Sequence, residues 1–196
     1  MSLLVRKLTV PPIFAALLLI VTYAARPDYY GNVWSLLLGI CFLAVLPSLA
    51  YPLQKYIPHF KDKGREGQRS LAMLFSGIGY LLGTLTAFIF NAPAELKIIY
   101  LLYLFSGLLM IIFNKVLKIK ASGHACGIVG PIVLLVYYKL YIPAVIGALF
   151  VAAVFVSSIK TKRHTPSQLE IGSIIPIVCI IIAHLIIGLM FLASTG

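Results

Sequence analysis

Seven apolar runs separated by short polar gaps organise this chain. They fall near Val10–Ala25, Val33–Leu53, Leu71–Phe90, Leu96–Phe113, Ala125–Tyr138, Ile142–Ser158 and Leu169–Ala193, the fifth being the shortest. A helix needs about 20 apolar residues to cross the hydrocarbon layer, with roughly 17 to 25 tolerated. The pattern predicts an all-α, polytopic transmembrane helix bundle of about seven spans.

Each run closes on residues suited to an interface. Arg26-Pro27-Asp28 separates the first two, Asn91-Ala92-Pro93 the third and fourth, and Lys139 with Pro143 the fifth and sixth. Proline supplies no backbone N–H and so starts or stops helices. Tyr23, Tyr29, Tyr30, Trp34, Tyr100, Tyr137, Tyr138 and Tyr141 lie at run ends, the pattern of an aromatic belt. Ser76, Gly77, Gly79, Gly83 and Thr84 in the third run, and Ser106 and Gly107 in the fourth, let helices approach closely, which predicts a packed bundle.

Composition sharpens the picture. The 196 residues are 61% hydrophobic and 11% charged, against roughly half and a quarter in soluble domains, so a water-soluble fold is excluded and a single integral-membrane domain over 1–196 is expected. Cys41, Cys126 and Cys179 are widely spaced and read as small packing residues, with no disulfide framework or thiolate zinc site indicated. A net charge of +11 would suggest nucleic acid in a soluble protein. Here the basic residues occupy gaps between apolar runs, so they face lipid headgroups or an anionic ligand, and no nucleic-acid partner is expected.

The gaps are unequal. With seven crossings, the N-terminus and the 54–70, 114–124 and 159–168 loops share one side. That side carries Arg6, Lys7, Lys55, Lys61, Lys63, Arg65, Arg69, Lys115, Lys118, Lys120, Lys160, Lys162 and Arg163; Arg26, Lys97 and Lys139 fall on the other. The positive-inside rule makes the loaded side cytoplasmic, in the cell membrane. Arg6 and Lys7 before the first run also fit a signal peptide ending near Ala25, which would leave six spans. Tyr23 suits that cleavage pattern poorly, and an uncleaved helix is expected.

Two polar stretches on the basic side are not explained by topology: Lys118–Gly127 and Ser157–Gln168. At Ser122-Gly123-His124 a hydroxyl and a glycine open a helix whose first-turn N–H groups suit an anion; the plainer reading makes Ser122 an N-cap and His124 an interfacial polar residue. His164 follows after two short spans, which return the chain to the same face. Two imidazoles ringed by Lys and Arg hold the parts for phosphoryl transfer: a nucleophile, a proton donor and fixed cations. His184, within the last run, and His59, in an interfacial loop, read as structural; Asp62 and Glu66 are expected to pair with neighbouring Lys and Arg.

These residues resemble the type 2 phosphatidic acid phosphatase superfamily, whose three motifs are K-x6-R-P, P-S-G-H and S-R-x5-H-x3-D. The resemblance runs over roughly residues 61 to 175, with a family-like core over about 55–193. Ala121-Ser122-Gly123-His124 lacks only the proline of the second motif. The third motif keeps Ser157, the spacing and His164, with Ser158 for its Arg and Gln168 for its Asp. The first is sought in Lys61–Ser70, where Lys61 to Arg69 is one residue too long and Lys63 to Arg69 one too short.

The resemblance implies that His164 is the nucleophile and His124 the acid protonating the leaving alcohol. It implies that Ser122 and Gly123 help hold phosphate, and that Arg69 with Lys61 or Lys63 supplies cations. Gln168 can orient the His164 ring but stabilises an imidazolium less than a carboxylate would; Lys160, Lys162 and Arg163 are candidates to replace the missing Arg, and ordinary headgroup snorkelling explains these three at least as well. The expected function is a metal-independent integral-membrane lipid phosphatase acting on a lipid phosphate or prenyl (di)phosphate through a phosphohistidine, with membrane lipids as surroundings and no cofactor. Asp28, Asp62, Glu66, Glu95 and Glu170 are too scattered to form a magnesium cluster. The alternative is a catalytically degenerate phospholipid-binding membrane protein or a small transporter. The sequence sets no oligomeric state.

Overall fold

The computed structural model describes residues 10–162 and 164–195. Among them the chain forms eight helices and no strand: α1 Pro11–Ala25, α2 Val33–Tyr56, α3 Pro58–Lys61, α4 Gly64–Ile89, α5 Ala94–Val116, α6 Gly123–Tyr137, α7 Tyr141–Lys160 and α8 Pro166–Thr195. Helices α2, α4, α5, α7 and α8 are long and apolar enough to cross a membrane, and the chain is an integral membrane protein. The apolar helices α1 and α6 have 15 residues each, a reach of about 22 Å against a hydrocarbon layer of about 30 Å.

Helices outrun the apolar stretches that predict them, because a helix stops where its backbone hydrogen bonds stop and not where charge begins. Helix α4 starts at Gly64, so Arg65 to Ser70 are helical where hydropathy alone gave a loop. Helix α5 continues through a π-turn at Ile112–Val116, and α2 contains another at Cys41–Val45. Helices α4, α5, α6 and α7 are each followed by a left-handed residue, respectively Asn91, Lys118, Lys139 and Lys162. Glycine is the usual occupant of that position; lysine there meets the negative end of the helix dipole.

The small residues work as spacers. A Cβ on Gly79 would overlap the Phe42 carbonyl, and one on Gly83 the Tyr100 ring, while Gly107 faces the edge of Tyr80. These contacts seat α4 against α2 and α5. Helix α8 packs along α5 and α6, and α6 also packs on α1 and α7. The core is built from Leu18, Leu19, Leu43, Ile99, Leu102, Leu134 and Cys179. Cys126 is buried too, whereas Cys41 is exposed; all three thiols are free.

The aromatic belt needs correction. Tyr30, Tyr100 and Tyr138 are core residues, at 0%, 2% and 4% exposure. Tyr30 reaches inward because its hydroxyl finds Thr22 Oγ1 and donates to the Leu19 carbonyl at 3.1 Å, and Tyr138 donates to the Glu95 carbonyl at 2.7 Å. Buried phenols that are hydrogen-bonded in this way bury their rings without stranding a polar group. Trp34 and Tyr141 remain exposed, as a belt requires.

The bundle has two distinct ends. At one, Gly31 lies against Pro93 and the Tyr29 and Tyr138 rings meet in a tilted contact with centroids 5.0 Å apart. At the other, Gly127 meets Pro11 and Gly172 meets Ser122. Of the described basic residues, only Arg26, Lys97 and Lys139 belong to the first end. Asp62 and Glu66 make no ion pair among the described residues, contrary to expectation. Both are exposed, where a pair is worth little against the entropy of holding it.

Candidate functional site

Helix α6 begins at Ser122, whose Oγ accepts from the Ala125 N–H at 3.2 Å while its carbonyl accepts from Cys126 at 3.0 Å. This is an N-cap, as the Ser-Gly-His spacing allows. Ser122 is buried, Gly123 exposed and His124 half-buried in the first turn.

Asn114 sets where this loop lies. Its Nδ2 donates to the Met110 carbonyl at 3.0 Å, and its Oδ1 accepts from the Ala121 N–H at 3.1 Å. The π-turn in which Asn114 sits also lets the Ile119 N–H reach the Phe113 carbonyl at 2.9 Å. The loop from Leu117 to Ala121 is thereby folded back on α5, delivering Ser122 to the start of α8. The sequence reading did not single out Asn114; a lone amide ending an apolar run was the available signal.

The second stretch is ordered by its own cap. Thr165 accepts from the Gln168 N–H through Oγ1 and from the Leu169 N–H through its carbonyl, both at 3.3 Å. Thr165 and Gln168 have the spacing of a capping box, in which the third helical residue reaches back past the cap. Here Gln168 reaches further, to His164: Oε1 lies 3.3 Å from Nδ1. With the proton on Nδ1 donated to that amide oxygen, Nε2 carries the lone pair.

The two stretches meet through the backbone. The Ser122 N–H donates to the Gln168 carbonyl at 2.9 Å, and a side chain on Gly172, one turn along α8, would overlap the Ser122 carbonyl oxygen. The residue that orients His164 is therefore bonded to the residue that caps the helix bearing His124. His164 and Gln168 line an open groove of about 350 Å³ with Lys162, Thr165, Ile159 and Pro166. Lys162 is the described cation in its wall, and its left-handed backbone (φ 52°) costs a β-carbon-bearing residue about 1–2 kcal/mol. Ser158, where the resemblance expects an arginine, is buried at the end of α7 and does not face this groove.

The first-motif residues are placed differently. Lys61, Lys63 and Arg69 are exposed at the same end of the bundle, on the α3–α4 flank. The antiparallel register set by Gly83 on Tyr100 and Gly107 on Tyr80 puts Arg69 level with the π-turn of α5. Helix α5 thus lies between Arg69 and the α6–α8 junction. Lys63 turns to His59, with Nζ 3.0 Å from Nε2, and the corner is tied by Gln54, whose Nε2 donates to the Phe60 and Gly64 carbonyls. His184 pairs with the Tyr137 hydroxyl through Nδ1 at 2.7 Å, on the bundle surface and not in its interior. Arg163, Arg6 and Lys7 lie outside the described residues.

What the arrangement offers is an imidazole bonded to Gln168, a lysine in the same groove wall, and a capped helix start that carries a second histidine and is tied to the same turn through the Ser122 backbone N–H. No family model, curated protein or solved structure matches the chain.

Proposed function

We propose that this chain is an integral-membrane lipid phosphatase that releases phosphate from a lipid phosphate or prenyl (di)phosphate through His164. The observation that carries the reading is the joined pair of bonds at Gln168: its side chain faces His164 Nδ1 and its carbonyl holds Ser122. The two histidine-bearing stretches thus belong to one local structure, as phosphoryl transfer requires.

In the proposed reaction His164 Nε2 attacks the terminal phosphorus and its P–O bond to the leaving group breaks, the leaving group being the lipid alcohol for a monophosphate and the lipid phosphate for a diphosphate. His124 gives the departing oxygen its proton, and Lys162 offsets charge on the equatorial oxygens. Water, deprotonated by His124, then attacks the phosphohistidine, freeing inorganic phosphate and restoring both imidazoles. Lys61, Lys63 and Arg69 raise the local concentration of anionic lipid at this end rather than clamp the reacting group. Ser122 and Gly123 shape the phosphate-facing start of α6. The proposed chemistry needs no metal, and the density of basic residues at this end supports a site on the cytoplasmic face of the cell membrane.

Purified protein in detergent or vesicles should release phosphate from a lipid phosphate in the presence of chelator, and His164→Ala should abolish release with the protein still monodisperse. Undiminished release by that variant would reject the assignment. A second reading is favoured by Gln168 itself: an amide where the resemblance expects a carboxylate suits a protein that binds phospholipid without hydrolysing it. Binding without release in the same assay selects it.

A further inference from the structure

The groove at His164 does not end at the headgroup level. A second groove, of about 370 Å³, runs between Phe155 and Ile159 on α7 and Leu169, Ser173 and Ile174 on α8. Ile159 and Pro166 line both grooves, so the two adjoin across these side chains. On α8 the lining positions 166, 169, 170, 173 and 174 form one helical stripe, and the rise from Pro166 to Ile174 carries it about 12 Å from the basic end into the bilayer.

The two halves differ in chemistry. Lys162, His164 and Gln168 give the outer half its cation and hydrogen-bonding groups. The inner half is apolar except for Ser173, whose hydroxyl already donates to the Leu169 carbonyl at 2.7 Å, and Glu170. A carboxylate beside the junction repels a phosphate and keeps it on the Lys162 side. Ile174 and Ile159 are 55% and 42% exposed, so the seam is open towards lipid.

We infer that the α7–α8 seam is the lateral doorway and chain-binding surface for a phosphorylated lipid, its phosphomonoester at Lys162, His164 and Gln168 and its hydrocarbon chain along Phe155 and Ile174. The inference rests on the phosphate-site reading above for the headgroup, but it concerns binding and is independent of turnover. Charge complementarity in the outer half and the apolar groove adjoining it single out this occupant over bulk bilayer lipid, which would have no reason to prefer the seam.

The test uses tryptophan fluorescence. Trp34 is the chain's single tryptophan, so Phe155→Trp on a Trp34→Phe background gives one reporter in the seam, and Ile89→Trp, on an exposed position of α4, gives a control. Each protein is reconstituted in phosphatidylcholine vesicles and titrated with phosphatidate or phosphatidylcholine bearing the same brominated acyl chain, which quenches only at contact. Brominated phosphatidate should quench the seam reporter at a concentration on the order of tenfold lower than brominated phosphatidylcholine, as a charge-assisted contact provides. Lys162→Ala should remove that preference, and the α4 reporter should show none. Equal quenching by both lipids at the seam overturns the inference, and Ile174→Trp on the opposite wall repeats the measurement if the first reporter does not fold. Selective quenching without phosphate release would sink the phosphatase reading alone; release without selective quenching would sink the seam alone.

Discussion

Ser122, the N-cap of α6, and Gln168 on α8, two helices with α7 between them in the chain, are joined by one backbone hydrogen bond of 2.9 Å from the Ser122 N–H to the Gln168 carbonyl. The bond exists because Gly172 has no side chain to hold the start of α8 away from the loop. Gly172→Val should therefore separate the two stretches. Overpacking of this kind costs about 1–3 kcal/mol, seen as a lower Tm in detergent. Phosphate release should fall far more than that loss of stability explains, because His164 and His124 no longer share one frame. A variant with full activity would show that the junction is not part of the site.

Gln168→Asp tests the departure from the expected third motif. A carboxylate on His164 Nδ1 stabilises the positive charge that develops on the ring during attack, so the plateau rate should rise roughly tenfold, the effect of exchanging a neutral for a charge-assisted bond. A plateau rate unchanged or lower in the variant, with the protein still folded, would contradict the role of Gln168.

Asn114 is a positioning residue whose side chain ties α5 to the loop before Ser122. Asn114→Leu strands the Ala121 N–H, a cost of about 1–3 kcal/mol if the group stays buried. The expected kinetic signature is a lower kcat with KM for the lipid nearly unchanged, since Lys162 and the seam are untouched. Asn114→Asp, which keeps the acceptor for Ala121, should recover part of the loss; no recovery would point to packing alone.

The proposed sidedness rests on where the lysines and arginines gather. In a background lacking Cys41, Cys126 and Cys179, a single cysteine at position 65 should react with an impermeant maleimide only from the cytoplasmic side, and one at position 28 only from outside. The reverse pattern would place the phosphate site on the outer face.

Hydropathy alone determined the all-α membrane architecture, because apolar runs in lipid leave little choice but helix. It also located the breaks, and the asymmetry of Lys and Arg sorted loops into two ends. Motif spacing singled out Ser122, His124, His164 and Gln168 as residues worth following. It fixed neither helix ends nor contacts: Arg69 reads as a loop cation and stands on α4 instead, across α5 from the α6–α8 junction. Tyr30 and Tyr138 read as belt residues and lie in the core, since only packing reveals which phenol finds a buried partner. Asn114, Gly172 and the α7–α8 seam were decided by tertiary structure alone. Each depends on which helix lies beside which, a relation set by close packing of small residues from distant parts of the chain and invisible to local pattern.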